Sequence, residues 1–565
     1  MTNTFRFLLA AIILQSFALP ANPDPVYAEN GMVVSANRLA SEIGIEILKQ
    51  GGNAIDAAVA TGFALAVVHP QAGNLGGGGF MVAHLADGSN FALDYREQAP
   101  SAATRDMYLD SAGNVIPDLS TYSHLAAGVP GSVDGLYKAW RDHGSGNVSR
   151  KQLLAPAIKL AQKGFPITRR YARYLNYNHD YFQRDPGADD IFNKPAENHW
   201  KAGDRLVQKD LARTLKLIAK YGRDGFYTGP IADLILAEMQ QGQGLITAKD
   251  LQNYSAEYRL PVEGTFKEYK VISMPPPSSG GVLIIQMLNM LENFDIDSLG
   301  WNSSAYIHLL TEIERRAYAD RAEHLGDPDF WEVPLDRLMS KEYARLRSTE
   351  ISLTEATPSG DVSFGQPFPD ESPETTHYSV FDKDGNAVAV TTTLNFSFGC
   401  GIVVEGAGFF LNNEMDDFSA KPGVPNAFGL LGNDANAIEP GKRMLSSMTP
   451  TIVLKNQQPY LVVGAPGGAT IITTVLQVIL NSLIHEMDIQ EAVAAPRFHS
   501  QWYPDVVYGE TRGIPEDVQL NLEKLGHTVE THHWGYMGRA NCLMADSTGI
   551  YGGADPRGEN AAVGY

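Results

Sequence analysis

Glu374-Thr375-Thr376-His377-Tyr378-Ser379 marks the sharpest change of pattern in a chain of 565 residues. Upstream, from about Thr354 to Ser372, runs a segment rich in Pro, Gly, Ser and acids, with neither helical nor alternating apolar periodicity. Downstream the pattern is that of a strand. Tyr378 and Val380, then Ala387-Val388-Ala389-Val390, flank Asp382-Lys383-Asp384-Gly385, which reads as a hairpin turn. A patternless linker that delivers a threonine to the start of a strand has a chemical consequence if the Glu374–Thr375 bond is cut. Thr375 then carries its own general base, a free α-amine, which titrates near ~7.7–8.0 and is partly unprotonated at neutral pH. Taken alone, these residues fit better the plainer reading of an interdomain linker followed by a strand, with Thr present for β-propensity.

Working toward the N-terminus, Phe91-Ala-Leu-Asp-Tyr95-Arg96-Glu97 alternates like a strand and ends on an arginine. A strand-end Arg is ordinarily solvated or ion-paired, but it is also the residue that grips a carboxylate with a bidentate fork. Before it, Gly73-Asn74-Leu75-Gly76-Gly77-Gly78-Gly79 has no Gly-Lys-Ser/Thr after it, and its helix precedes it. Tight backbone packing under a strand, Phe80 to Leu85, explains it better than a phosphate loop. Earlier still, Leu39, Ile43, Ile47 and Leu48 share a helical face closed by Gly51-Gly52. Asn53 caps a second helix, Ala54 to Val68, apolar almost all round and therefore buried. Helices are also predicted at about 151–163, 207–221, 230–240, 282–293 and 303–325. Met274-Pro-Pro-Pro-Ser278-Ser279-Gly280-Gly281 reads as a stiff turn feeding one of them, a structural role before an anion-binding one.

Beyond the hairpin, Thr391-Thr-Thr393-Leu-Asn395 ends a strand predicted over Asn386–Leu394. Leu411-Asn412-Asn413-Glu414-Met415-Asp416-Asp417-Phe418 puts three acids on a short loop. Lys421-Pro-Gly-Val-Pro-Asn426-Ala-Phe428-Gly429 has the Gly and Pro hinges of a flap. Ser446-Ser447 precedes a hairpin, Thr451–Leu454 and Tyr460–Val463. Gly464-Ala465-Pro466-Gly467-Gly468 leads into a helix predicted over Ala469–Ile484. Such glycines make a tight turn, and their N–H groups can also stabilise an oxyanion. His485-Glu486 lacks the second His that zinc would need, and His532-His533 has no spaced carboxylate or Cys partner, so no metal site is expected.

The charge balance, −21 at pH 7 with a pI near 5.1, argues against nucleic acid and anionic membranes as partners. Two cysteines, Cys400 and Cys542, allow one bridge or two buried thiols, so disulfides are not the framework. The first residues carry Arg6, then an apolar run from Phe7 to Leu14, then small residues. That is the pattern of a secretory signal peptide within 1–28, with cleavage open among Ala18, Ala21 and Ala28. No membrane is expected for the mature form. Length alone suggests three or four domains.

Together the stretches GGNAIDAAVATGFALAVVHPQAGNLGGGGF, DYREQAP, MPPPSSGG, TTHYSV, LNNEMDDFSAKPGVPN, SSMTPTIV and APGGATIITTVLQ resemble the γ-glutamyltranspeptidases of the N-terminal-nucleophile hydrolase superfamily. TTHYSV after a linker and before NNEMDDF is highly specific; the Gly motifs singly are not. The resemblance implies an α+β, αββα four-layer sandwich, built by a precursor that cuts itself before Thr375. A large subunit, 29–374, and a small one of 191 residues (565 − 374) would then share one unit. It implies Thr375 as nucleophile for maturation and catalysis, and Thr393 as its hydrogen-bond partner. Arg96, Ser446 and Ser447 would hold the donor's α-carboxylate, and Asn395, Glu414 and Asp417 its α-ammonium. Gly467 and Gly468 would form the oxyanion hole, and the segment from about Pro422 to Gly432 the lid. Phe428 stands where several relatives have Tyr, so a lid bond through that hydroxyl is not available here. Glutathione and other γ-glutamyl compounds would be donors, amino acids or dipeptides acceptors, the periplasm the site of action, and no cofactor is required.

Two other readings are open. A glutaryl (cephalosporin-type) acylase of the same superfamily would leave paired acids at Glu414 and Asp417 desolvated without an ammonium, at a cost of several kcal/mol. A non-catalytic binder of glutathione-like peptides would keep Arg96 and the acids but need neither a cleavable linker nor Thr375.

Overall fold

The strand that follows Thr375 lies inside a seven-stranded antiparallel sheet, and that sheet stacks on a second one of equal size. The computed structural model describes residues 23–195, 198–363 and 375–565. Glu374, the linker from 364 onward, and the candidate cleavage positions Ala18 and Ala21 lie outside the described residues. In the first sheet, Thr376–Asp382 pairs on one side with Ala387–Thr393 and on the other with Gly31–Ser35. Ala387–Thr393 pairs in turn with Gly78–His84, which pairs with Asn90–Tyr95. The second sheet contains the predicted hairpin, Thr451–Lys455 and Gln458–Val463, and a C-terminal hairpin, Asn541–Asp546 and Gly549–Ala554.

Side-chain parity sets the layers. Tyr378, Val380, Val388 and Val390 join the apolar cluster under the helices Arg38–Lys49 and Ala54–Val68. Ala387 and Ala389, on the opposite face, join the cluster shared with the second sheet. That second sheet is covered on its far side by helices Gly280–Leu291 and Thr470–Leu483. The order is helix, sheet, sheet, helix: the αββα sandwich. The count of three or four domains fails, because both faces of each sheet are buried and the two sheets share the cluster between them.

Local chemistry explains the elements that position the site. Asn53 accepts from the Asp56 amide while Asp56 returns a bond to the Asn53 N–H, a reciprocal cap for the helix that begins at Ala54. Asp382, at the hairpin turn, accepts from the Ala54 amide at 2.8 Å and so ties the strand that follows Thr375 to that helix. The Gly-rich loop is backbone packing as predicted. A Cβ at Gly76 would lie 2.1 Å from the Phe410 carbonyl oxygen, and one at Gly77 would lie 2.1 Å from that of Thr393. Strand Gly78–His84 takes Gly78 and Gly79 from that loop, two residues earlier than predicted. Val26–Ala28 pairs with Gly549–Ala554 as an edge strand. Cys400 and Cys542 are buried free thiols, so the one possible bridge is not formed.

Candidate active site

Thr375 immediately precedes strand Thr376–Asp382 and is 5 % exposed. The register pairs Thr376 with Thr392, which carries Thr375 across from Thr393, the predicted partner. Thr393 Oγ accepts from the Asn395 amide at 2.7 Å, and its hydroxyl bonds Glu414. By strand parity Thr375 shares a face with His377 and Ser379, the face toward the second sheet. Ser379 Oγ donates to the Asn541 carbonyl there at 2.8 Å.

His377 is two residues from Thr375 yet is not placed to act as its base. Its ring is sealed against Gly464, bonds the Thr391 and Ser379 hydroxyls, and is held by burial at a pKa of about 3. His499, bonded to Thr473 and Gln501, is likewise held at about 3, chiefly by burial. Both rings are neutral in the fold, while an unfolded His takes up a proton below about 6.5. Protonation therefore favours the unfolded chain. Stability is full above about pH 6.5 and is lost as pH falls toward 3, by up to ~1.4 kcal/mol per pH unit for each such ring. Denaturant midpoints between pH 7 and 4 should fall accordingly, and more shallowly in His499→Gln. A midpoint independent of pH over that range would refute the assignment of neutral buried rings.

Nine of the ten predicted catalytic and binding residues line one small cavity of about 20 Å3: Thr375, Thr393, Arg96, Asn395, Glu414, Asp417, Ser446, Ser447 and Gly468. Gly467, the tenth, sits beside it on the turn, lining a separate recess. The predicted poles of the clamp meet each other. Arg96 Nη1 donates to Glu414 and Nη2 to Asp417, while Nε donates to the Met444 carbonyl at 3.2 Å. Asn395 sits at φ +74°, with its amide donating to the Asn413 carbonyl at 2.9 Å. Ser446 is fixed by the Met274–Gly281 turn: its amide donates to the Pro277 carbonyl at 2.8 Å, and Ser279 N–H and Oγ both donate to its carbonyl. That turn is structural, as predicted.

Two charged residues of the site escaped the sequence reading. Arg321, from helix Ser304–His324, lines the cavity, donates to Ser279 Oγ at 3.0 Å and to Ser447 Oγ at 3.4 Å, and acts electrostatically on Asp417. Nothing local marks an arginine in the last turn of a long helix as functional, since a basic residue there already suits the helix dipole. Glu97 is fully buried beside Arg96, packed where a Gly78 Cβ would be. Its signal was available in the Arg96-Glu97 pair at a strand end. Burial pushes the Glu97 carboxyl up to about 8, with Arg96 opposing. Burial likewise raises Glu414 and Asp417, again against the pull of Arg96. Three carboxyls thus crowd two guanidinium groups, and burial favours retention of a proton among them at neutral pH.

Gly467 and Gly468 lie at φ +141° and +56°, backbone that favours glycine. Their carbonyls accept from Thr470 and Ile471, which opens helix Thr470–Leu483. Their N–H groups make no hydrogen bond among the described residues, so they remain available to an oxyanion. Phe428, from the predicted lid, closes the cavity by packing instead of by a hydroxyl. It stands edge-on to Phe396 at 5.5 Å and directly over Gly468. Asn426 Oδ1 accepts from the Phe428 and Leu430 amides and holds the lid turn.

Among the described residues, His308, Glu312 and His527 also come together. Glu312 is already bonded to Arg315 and Arg316, and His308 to His527 at 2.7 Å, so two fixed cations stand where a dication would sit. That is a buried hydrogen-bond cluster, poorly suited to a metal.

The sequence profile described as Gamma-glutamyltranspeptidase matches residues 40–565. The chain belongs to the γ-glutamyltranspeptidase family. It is 49 % identical over 544 residues to the glutathione hydrolase proenzyme of Escherichia coli (strain K12), covering 96 % of this chain and 93 % of that one. Among solved structures, a cephalosporin acylase from Bacillus halodurans superposes with TM-score 0.85 at 29 % identity, over 98 % of this chain and 99 % of that one. The γ-glutamyltranspeptidase of Helicobacter pylori is 47 % identical over 60 % of this chain and 96 % of its own, with TM-score 0.57. The fold is thus shared with acylases, whereas sequence identity is greater toward the γ-glutamyltranspeptidase relatives. No helix among the described residues is long and apolar enough to cross a membrane.

Proposed function

We propose that this chain is the precursor of a self-processing glutathione hydrolase and γ-glutamyltransferase, with Thr375 as its nucleophile. The observation that carries the reading is the charge balance beside Thr375. Glu97 and Glu414 are buried and Asp417 is half-buried around Arg96 and Arg321, a crowd of carboxyls whose ionised forms a further cation would favour. A donor with both an α-carboxylate and an α-ammonium exchanges these internal pairs for equivalent external ones. Its carboxylate takes Arg96 with Ser446 and Ser447, and its ammonium takes Glu414, Asp417 and Asn395. A glutaryl donor brings the carboxylate alone and leaves the acids without a cation, which disfavours the acylase reading. The cavity of about 20 Å3 holds little more than a water. Entry of a glutamyl group therefore requires Arg96 to release the acids and the Phe428 lid to lift.

In maturation, Thr375 Oγ attacks the Glu374 carbonyl carbon and its proton passes to the departing nitrogen, so that the acyl group shifts from N to O and the α-amine is freed; water then hydrolyses the ester, releasing the Glu374 carboxylate and restoring the Thr375 hydroxyl. In turnover that amine takes the Oγ proton as Oγ attacks the γ-amide carbon of a donor such as glutathione. The oxyanion rests against the N–H groups of Gly467 and Gly468, and the protonated amine gives its proton to the leaving nitrogen. Water or an acceptor amine resolves the resulting γ-glutamyl-Thr375 ester. Large and small subunits from one precursor, and export to the periplasm behind a cleaved leader, belong to the same reading. Cleavage near Ala18 or Ala21 suits it better than at Ala28, which would strip the edge strand Val26–Ala28.

The test is the fate of the acyl group. An acceptor must attack as a neutral amine, whereas water needs only the unprotonated Thr375 amine. With a γ-glutamyl anilide and Gly-Gly, γ-glutamyl dipeptide should gain on free glutamate from about pH 7 to about pH 9, where α-amines titrate. A flat product ratio would mean that another group deprotonates the acceptor. Absence of any adduct would make the enzyme a hydrolase alone.

A further inference from the structure

The hydroxyl hydrogens of Ser446 and Ser447, on the wall of the donor cavity, have no acceptor among the described residues. Their oxygens, by contrast, are engaged. A serine Oγ has one hydrogen to give and two lone pairs to receive, whereas a guanidinium only gives. Arg321, 4 % exposed in the last turn of its helix, bridges two serines: Nε donates to Ser279 Oγ at 3.0 Å and Nη2 to Ser447 Oγ at 3.4 Å. Ser279, having accepted, turns its own hydrogen to the Ser446 carbonyl at 2.8 Å, and its amide donates to the same oxygen at 2.8 Å. Ser446 Oγ accepts from the Met448 amide at 3.1 Å. An N–H therefore occupies one lone pair of each cavity serine, and each is left with an O–H to offer the cavity.

We propose that Arg321 is a positioning residue for the donor: by donating to Ser447 directly and fixing Ser446 through Ser279, it turns the serine pair into hydrogen-bond donors. The inference rests on the function proposed above and names the residue that sets the polarity of that site. A carboxylate has two oxygens that only accept, so it satisfies both hydroxyls at once. A carboxamide has one such oxygen. Its NH2 group would have to take the second lone pair of a serine and leave that serine's hydrogen without an acceptor, an unmade bond in a buried site. Discrimination between two groups of nearly the same size then follows from the direction of the O–H bonds, which Arg321 fixes from behind. Arg321 also pulls electrostatically on Asp417, so charge and hydrogen-bond direction have to be varied separately.

The experiment uses the mature enzyme and two donors, a γ-glutamyl anilide and the same anilide with its α-carboxylate replaced by carboxamide. The wild type is expected to favour the carboxylate by about a hundredfold or more in kcat/KM, as a site built on directed hydrogen bonds does. Where the carboxamide turns over too slowly to follow, its Ki against the carboxylate donor gives the ratio. Arg321→Lys keeps the charge but replaces the two-point fork with a single nitrogen. It should raise KM for the carboxylate donor by about tenfold with kcat within about twofold, the signature of binding lost equally from ground and transition states. The preference should fall by about the same tenfold, because the carboxamide gains nothing from the wild-type arrangement. Ser279→Ala leaves the guanidinium in place and removes its Nε anchor; a fall of about threefold in the preference is expected, and this variant decides the matter if Arg321→Lys does not mature. A residue that merely supports the fold would weaken both donors alike. An equal loss for the two donors, a preference unchanged in either variant, or no preference in the wild type would overturn the inference. Absence of anilide release by the wild type would instead fail the underlying function.

Discussion

A Thr375→Ala precursor is expected to run as one uncut chain on a denaturing gel and to release no product from a γ-glutamyl anilide. Both losses have one cause. In the proposed mechanism Thr375 Oγ attacks Glu374 in maturation and the donor amide in turnover, and removing a nucleophile costs on the order of 10^4-fold or more in rate. The fold should survive, because the site is held by its neighbours: Asn395 by Asn413, Ser446 by the Met274–Gly281 turn, and Glu414 by Arg96. Thr375→Ser keeps the hydroxyl and should keep both cleavage and turnover at reduced rates. Cleavage of the alanine variant at this bond would show that another group performs it.

Arg96→Ala should lose about 2–5 kcal/mol in kcat/KM for γ-glutamyl donors, the range for truncating one member of a buried charge pair. It should also lower the melting temperature, because Glu97 and Glu414, both fully buried, would lose the guanidinium that opposes their desolvation. Asp417→Asn separates the two effects. It removes one of three crowded carboxylates, so stability should hold or rise while donor kcat/KM still falls. Wild-type kinetics in either variant would remove that residue from the site. Neither residue acts on the scissile bond, so both precursors that fold should still be cut.

The site was legible where chemistry is local in the chain. The Asn53 cap, the apolar run to Val68 and the Asp382–Gly385 turn each announce an element within a few residues. Thr375, Gly467-Gly468 and the acids from Glu414 to Asp417 are short motifs whose residue types already state their chemistry. What stayed hidden depends on packing at long range. Arg321 reaches Ser447 across 126 positions, and the Arg96–Glu414 contact spans 318, so sequence order carries no sign of either. The C-terminal strands Asn541–Asp546 and Gly549–Ala554 are short and contain Gly552-Gly553, which weakens their pattern. Opposing poles bonded to each other were not foreseeable either, because residue types fix the charges of a site but not which of them meet.

The most direct measurement is the N-terminal sequence of each chain in the purified, untreated protein. A small chain that begins Thr375-Thr376-His377-Tyr378 is the expected result. A single uncut chain, or a new N-terminus at any other residue, would contradict the assignment of Thr375 as a self-generated N-terminal nucleophile.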